Sequence, residues 1–166
     1  MSIKTIFYSY SGITRGIAEK IQSECGGELV EVKAKKPYSS ITAYSVGCYR
    51  AMRGEPDAIV PASIDVSASD LLVIGTPVWM GRAAPAINGA VEALTGCEGK
   101  SAILFATCGA LAKDTLPHLT EALAAKGVTV AGKFEFDKND VKNKNKVDAL
   151  MTAVKSAGGA EIKTVM

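Results

Sequence analysis

Apolar side chains follow two alternating rhythms along this chain. Short β-branched runs at residues 3–8, 28–32, 71–74, 101–106 and 128–136 read as strands. Each is followed by a stretch with apolar positions three and four apart, the spacing of one helix face. Residues 14–25 carry Ile17, Ala18 and Ile21 in that spacing, and Ile41, Tyr44, Cys48 and Met52 form a second stripe. Residues 84–94, 113–126 and 144–157 complete the set, the last with Val147, Leu150, Met151 and Val154 on one side. Regular alternation of strand and helix predicts an α/β domain, a three-layer sandwich with a five-stranded parallel sheet between helices. LLVIG and AILFA are continuously apolar, as strands covered on both faces must be, whereas ELVEV alternates and suits an edge.

A longer excursion, residues 33–70, holds one helix and then a Pro/Gly/Ser-rich approach to the third strand. No shift in composition accompanies it, so residues 1–166 are expected to form one domain. DKNDVKNKNK is a polar, charge-mixed lead-in to the last helix.

Composition narrows the class. With 166 residues, 48% apolar and 22% charged, the chain is long enough and apolar enough to bury a sizeable core. No apolar run approaches the roughly 20 residues of a membrane span. MSIKTIFYSY lacks the longer apolar stretch and cleavage site of a signal peptide, so a cytoplasmic protein is expected. Cys25, Cys48, Cys97 and Cys108 are scattered and His118 is the only histidine, so no metal site is expected. A net charge of +2 is too small to argue for nucleic acid.

In an open α/β sheet, ligands bind beyond the carboxyl ends of the strands, where the strand order reverses. After the first strand comes Ser9–Tyr10–Ser11–Gly12–Ile13–Thr14, running directly into a helix. Two readings stand: a tight turn with a hydroxyl cap, or a neutral cradle in which backbone N–H groups and hydroxyls hold a phosphate. The G-x-x-x-x-G-K-[ST] and G-x-G-x-x-G patterns are absent, which argues against nucleotide hydrolysis and a Rossmann dinucleotide site. After the third strand comes GTPVWMGRAAPAI, with Trp79 between Gly75–Thr76–Pro77 and Gly81. That indole is either a plate for a planar ligand or a side chain folded over the core. After the fourth strand comes Thr107–Cys108–Gly109–Ala110, either a plain turn or a small, backbone-rich wall.

The three loops together resemble the flavodoxin family. SYSGIT is similar to that family's phosphate loop, TPVWMG to its first loop against the flavin ring, and TCGA to its second. The resemblance implies a strand order of 2-1-3-4-5 with FMN at the switch point, flavodoxins being a standard instance of that rule. It also implies a short-chain form, because VTVAGKFEF carries no insertion. Residue by residue, it places Ser9, Ser11, Gly12, Ile13 and Thr14 around the FMN phosphate. Pro77, Val78, Trp79, Met80 and Gly81 would border the ring, and Thr107, Cys108 and Gly109 would line its other side.

Three departures qualify the resemblance. The chain is slightly basic where flavodoxins are acidic, and the third loop lacks the aromatic residue that often covers the second flavin face. The stretch from Lys33 to Arg53 holds Lys33, Lys35, Lys36, Arg50 and Arg53 without a carboxylate. A solvated surface explains it, as does a docking face for an acidic redox partner protein. The expected function is FMN-dependent electron transfer between redox partners. An FMN-dependent NAD(P)H or quinone oxidoreductase is the alternative on the same fold, and a cofactor-free interaction module is the third possibility. Cys108 has no electropositive neighbour to activate it and reads as a packed thiol.

Overall fold

The computed structural model describes residues 1–109 and 111–164, with side chains described through Ala157. Ala110, the last residue of the TCGA loop, lies outside the described residues. The strands of the central sheet are β1 (Ile3–Phe7), β2 (Glu28–Glu31), β3 (Leu71–Trp79), β4 (Ser101–Thr107) and β5 (Thr129–Phe136). The helices are α1 (Ile13–Cys25), α2 (residues 40–52), α3 (Pro85–Ala93), α4 (Thr115–Ala124) and α5 (Lys144–Thr164). The sheet runs β2-β1-β3-β4-β5 with every neighbour parallel, the order the resemblance implied.

Burial follows from that order. The central strands β1, β3 and β4 are covered on both faces, and their apolar runs are almost wholly buried. β2 and β5 lie at the edges, as ELVEV suggested for β2. β5 alternates in exposure, whereas Leu29, Val30 and Glu31 of β2 are all partly buried, Glu31 because Arg15 of α1 pairs with it. On one face α1 and α5 pack Ile17, Ile21, Leu150 and Val154 against Ile3, Phe7, Val73 and Phe105. On the other, α3 and α4 pack Ile87, Leu116, Leu119 and Leu123 against Ile6, Leu72, Ile74 and Leu104. Leu104 is fully buried in the middle of this second core, so truncation to alanine costs about 2–5 kcal/mol. Among the described residues no helix is long and apolar enough to cross a membrane.

Two elements differ from the sequence reading. The third strand does not stop at Ile74: it continues to Trp79 and turns back, Val78 and Trp79 pairing antiparallel with Ala83 and Arg82. The two-residue connection is Met80–Gly81, with φ of 52° and 75°. Positive φ at both positions is the twist that matches a hairpin's strands, and it makes the TPVWMG stretch a rigid ribbon instead of a loop.

The second correction concerns α2, a run with α-helical ends and a π-helical turn at Ala43–Gly47. The stripe Ile41, Tyr44, Cys48, Met52 does not face the core: Ile41 is 79% exposed and Tyr44 82%. The buried positions are Ala43, Gly47 and Ala51, four residues apart. Helical spacing fits either stripe, and the bulk underneath decides between them. A β-carbon on Gly47 would stand 2.7 Å from Trp79 Cζ3 and 3.3 Å from Tyr38 Cδ1, so the helix can sit there only on small residues.

Candidate functional site

β1 and β3 are neighbours although β2 separates them in sequence, so their connections leave on opposite sides and open a crevice at the carboxyl edge. A cavity of about 390 Å³ occupies that end of the sheet. All three loops singled out from the sequence reach it: Ser11 and Ile13 from the first, Pro77, Val78, Trp79 and Met80 from the hairpin, Thr107, Cys108 and Gly109 from the third. The size falls within the range usual for cofactor pockets, about 300–1,000 Å³.

Four of the residues singled out do not line the cavity, and each has a supporting place. Ser9 Oγ accepts hydrogen bonds from the N–H groups of Gly12 at 3.1 Å and Arg15 at 3.2 Å. The hydroxyl thus caps α1, as one of the two readings had it. Gly12 turns the chain into α1 with φ of 96°. Thr14 is buried, its hydroxyl 2.9 Å from that of Thr107, which ties the first loop to the third. Gly81 forms the hairpin turn, and its carbonyl accepts from the Asp114 N–H at 3.1 Å.

The cap leaves donors over. The first N–H groups of a helix have no intrahelical acceptor. Among the described residues, no side chain accepts from the N–H groups of Ser11, Ile13 or Thr14, and the first turn of α1 carries no acidic residue. The helix dipole adds partial positive charge at the same place. This end of the crevice suits an anion.

The other end suits a flat ring. Trp79 is partly buried, and three tyrosines meet it edge-to-face: Tyr8, Tyr10 and Tyr38, at centroid distances of 5.9, 5.7 and 5.4 Å. Such pairs contribute roughly 0.5–1.5 kcal/mol each, enough to hold the indole in one orientation. Tyr38 is fixed in turn, its hydroxyl donating to Asp57 Oδ1 at 2.7 Å. Arg50 closes on the same Asp57 oxygen and donates to the Pro56 carbonyl at 2.6 Å. Burial, and after it the Asp57 charge, raises the Tyr8 phenol to about 12. Burial and the hydrogen bond to Asp57 do the same for Tyr38. Trp79 therefore both packs on the core and walls the cavity, so the two sequence readings of it describe one arrangement.

The cavity also takes residues the sequence reading missed. α2 contributes Ala43, Tyr44 and Cys48, and the end of β5 contributes Phe136, Asp137 and Lys138. The carboxyl-end rule that selected the first three loops extends to β5 and could have found Phe136 and Asp137. Nothing local marks Tyr44, because its place depends on which side of α2 faces Trp79. Two thiols line the cavity, and burial is the main cause raising both Cys48 and Cys108. Glu135, Asp137 and Asp140 add to the effect at Cys108. Both sulfurs stay protonated near neutral pH, in accord with a packed thiol at Cys108.

The basic stretch from Lys33 to Arg53 is less bare than its sequence suggests. Arg50 pairs with Glu55 and Asp57, and Arg53 with Glu55, carboxylates that lie just beyond it. Lys33, Lys35 and Lys36 are exposed and form no ion pair among the described residues.

Anion donors at one end, an oriented indole at the other and small residues between them match the parts of FMN, the cofactor the resemblance implied. Comparison with known proteins agrees. The family model described as Flavodoxin matches residues 2–148. A flavoprotein from Lactobacillus acidophilus NCFM, solved in complex with FMN, is 26% identical, with a TM-score of 0.65 over 87% of this chain and 99% of its own. A candidate flavoprotein from Bacteroides eggerthii DSM 20697 is 22% identical, with a TM-score of 0.74 over 92% of this chain and 97% of its own. An NADH:FMN oxidoreductase in its apo form is 15% identical, with a TM-score of 0.62 over 95% of this chain and 88% of its own. The last two likenesses are of fold alone. No curated protein matches the chain.

Proposed function

The chain belongs to the flavodoxin family, and from that premise we propose that it binds FMN and carries electrons between redox partner proteins. The observation that carries this reading is the meeting of the first loop, the Trp79 hairpin and the third loop on one cavity at the switch point. The N–H groups of Ser11, Ile13 and Thr14 hold the phosphate, with Ser9, Gly12 and the Thr14–Thr107 pair keeping the loop in shape. Pro77, Val78, Trp79 and Met80 border the ring on one side and Thr107, Cys108 and Gly109 on the other, while Gly81 sets the hairpin turn.

When bound, FMN supplies the redox chemistry, and the chain supplies binding, orientation and exclusion of water. No proton-transfer group is required of the lining residues, and the protonated thiols of Cys48 and Cys108 are compatible with that. Lys33, Lys35 and Lys36 form the docking face for an acidic partner, steering its approach through a charge field that salt screens.

The test is titration of the flavin-free protein with FMN, followed by fluorescence of Trp79, the only tryptophan. Binding at micromolar concentration with quenching is expected, and Trp79→Ala weakens the complex about tenfold or more. Absence of flavin uptake at that concentration rejects the proposal. A second reading, an FMN-dependent NAD(P)H or quinone oxidoreductase, draws support from the third loop, which brings only small side chains and an exposed Gly109 to the cavity. Rapid reduction of bound flavin by NADPH with no partner protein present selects that reading, and slow reduction selects the carrier.

A further inference from the structure

Tyr44 occupies an unusual position. Its side chain lines the cavity, yet it is 82% exposed. A large aromatic residue held that far into water forgoes the stabilisation its ring would gain by burial. The backbone beneath it is specific. Tyr44 lies in the π-helical turn Ala43–Gly47, a local irregularity that concentrates at functional sites. Ala43 and Gly47 anchor that turn, and Gly47 lies against Trp79, the aromatic wall of the same cavity. Small residues thus seat the helix on the indole while the Tyr44 ring stands at the cavity mouth with no aromatic or hydrogen-bond partner among the described residues. Tyr49, further along α2, is also exposed but does not line the cavity.

We propose that Tyr44 is a second aromatic contact for the cofactor's ring, closing on it at the mouth of the cavity. This rests on the FMN reading and adds a residue outside the three loops that carry the family resemblance. The missing partner is the ligand itself: a flat aromatic ring seated against Trp79 gives Tyr44 the surface it lacks. The contact is with the ring and not the phosphate, because the anion donors lie at α1.

The experiment uses the full chain as wild type, Tyr44→Ala, Tyr44→Phe and Tyr49→Ala, each titrated with FMN and with riboflavin while Trp79 fluorescence is followed. Tyr44→Ala should weaken both ligands by the same factor, about tenfold, because both carry the ring. Tyr44→Phe should stay within about twofold of wild type, since it keeps the aromatic face. Tyr49→Ala should bind as wild type does. The melting temperature of flavin-free Tyr44→Ala should be unchanged, because the exposed ring contributes little to the empty fold.

Equal FMN affinity in wild type and Tyr44→Ala overturns the inference and leaves the FMN reading standing. An equal loss in Tyr49→Ala, or a loss for FMN but not for riboflavin, also overturns it. Wild-type protein that takes up no FMN overturns both.

Discussion

Arg50 spends its guanidinium on groups that its own stretch of sequence does not contain. It reaches Asp57, Glu55 and the Pro56 carbonyl, and Asp57 is buried with its second oxygen unpartnered among the described residues. Breaking a buried pair by removing one member strands the other charge, at a cost of about 3–5 kcal/mol. Arg50→Met should therefore lower the urea unfolding free energy by about 3 kcal/mol, whereas Lys36→Met at an exposed site should change it by less than about 0.5 kcal/mol. Equal effects would mean that Arg50 is only a surface cation, as the sequence alone suggests. The same cluster sets an alkaline limit through Tyr8 and Tyr38. Each phenol is neutral when protonated, and folding keeps it so until about pH 12. The unfolded chain releases these protons near pH 10, so the stabilisation is full below about pH 10 and is lost as pH rises towards 12. Absorbance titration at 295 nm should show two phenols ionising near pH 12, and Tyr38→Phe should remove one of them. Ionisation of Tyr8 and Tyr38 near pH 10 would refute the buried environment.

Elements were legible where one period had one interpretation. LLVIG of β3 and AILFA of β4 are continuously apolar and are buried, and α1 and α5 have a single apolar stripe each, so sequence and structure agree on them. α2 offers two stripes of equal spacing, and only the bulk of Trp79 and Tyr38 beneath it selects the one with Ala43, Gly47 and Ala51. Such a choice is made by tertiary contact and leaves no local trace. The hairpin was hidden for a different reason. Met–Gly lacks the Asn or Asp that usually announces a turn with two positive φ angles, and Pro77 reads as a strand breaker. Close packing of α2 on the indole gives an expected outcome for Gly47→Ala. The added methyl forces the helix off Trp79 or the ring off its tyrosines, costing about 1–3 kcal/mol. The melting temperature should fall and the Trp79 emission maximum should shift in the same variant. An unshifted spectrum with unchanged stability would place α2 further from the ring.

At the scale of the molecule, the site is a junction between parts that the chain keeps far apart. The first loop, the hairpin, the third loop, α2 and the end of β5 meet at one edge, where they are joined by contacts such as the Thr14–Thr107 hydroxyl pair and the packing of α2 on Trp79. The sequence could name three of these five parts because strand ends are readable, and parallel topology brings strand ends together. Occupancy should therefore be felt throughout the molecule: a ligand that binds only the folded state stabilises it by about 2.7 kcal/mol at one hundred times its dissociation constant. For a chain of this length that corresponds to a rise in melting temperature of roughly 5–10 °C. The contributions of the two ends separate by choice of ligand. At equal concentration FMN should raise the midpoint more than riboflavin does, the difference reporting the N–H groups of Ser11, Ile13 and Thr14, and inorganic phosphate alone should raise it least. Ser11→Pro removes one of those donors without touching the ring wall, so it should bring the FMN shift down towards the riboflavin shift and leave the latter in place. Equal shifts for FMN and riboflavin in the wild-type protein would mean that SYSGIT is only a capped turn, and that the phosphate lies elsewhere.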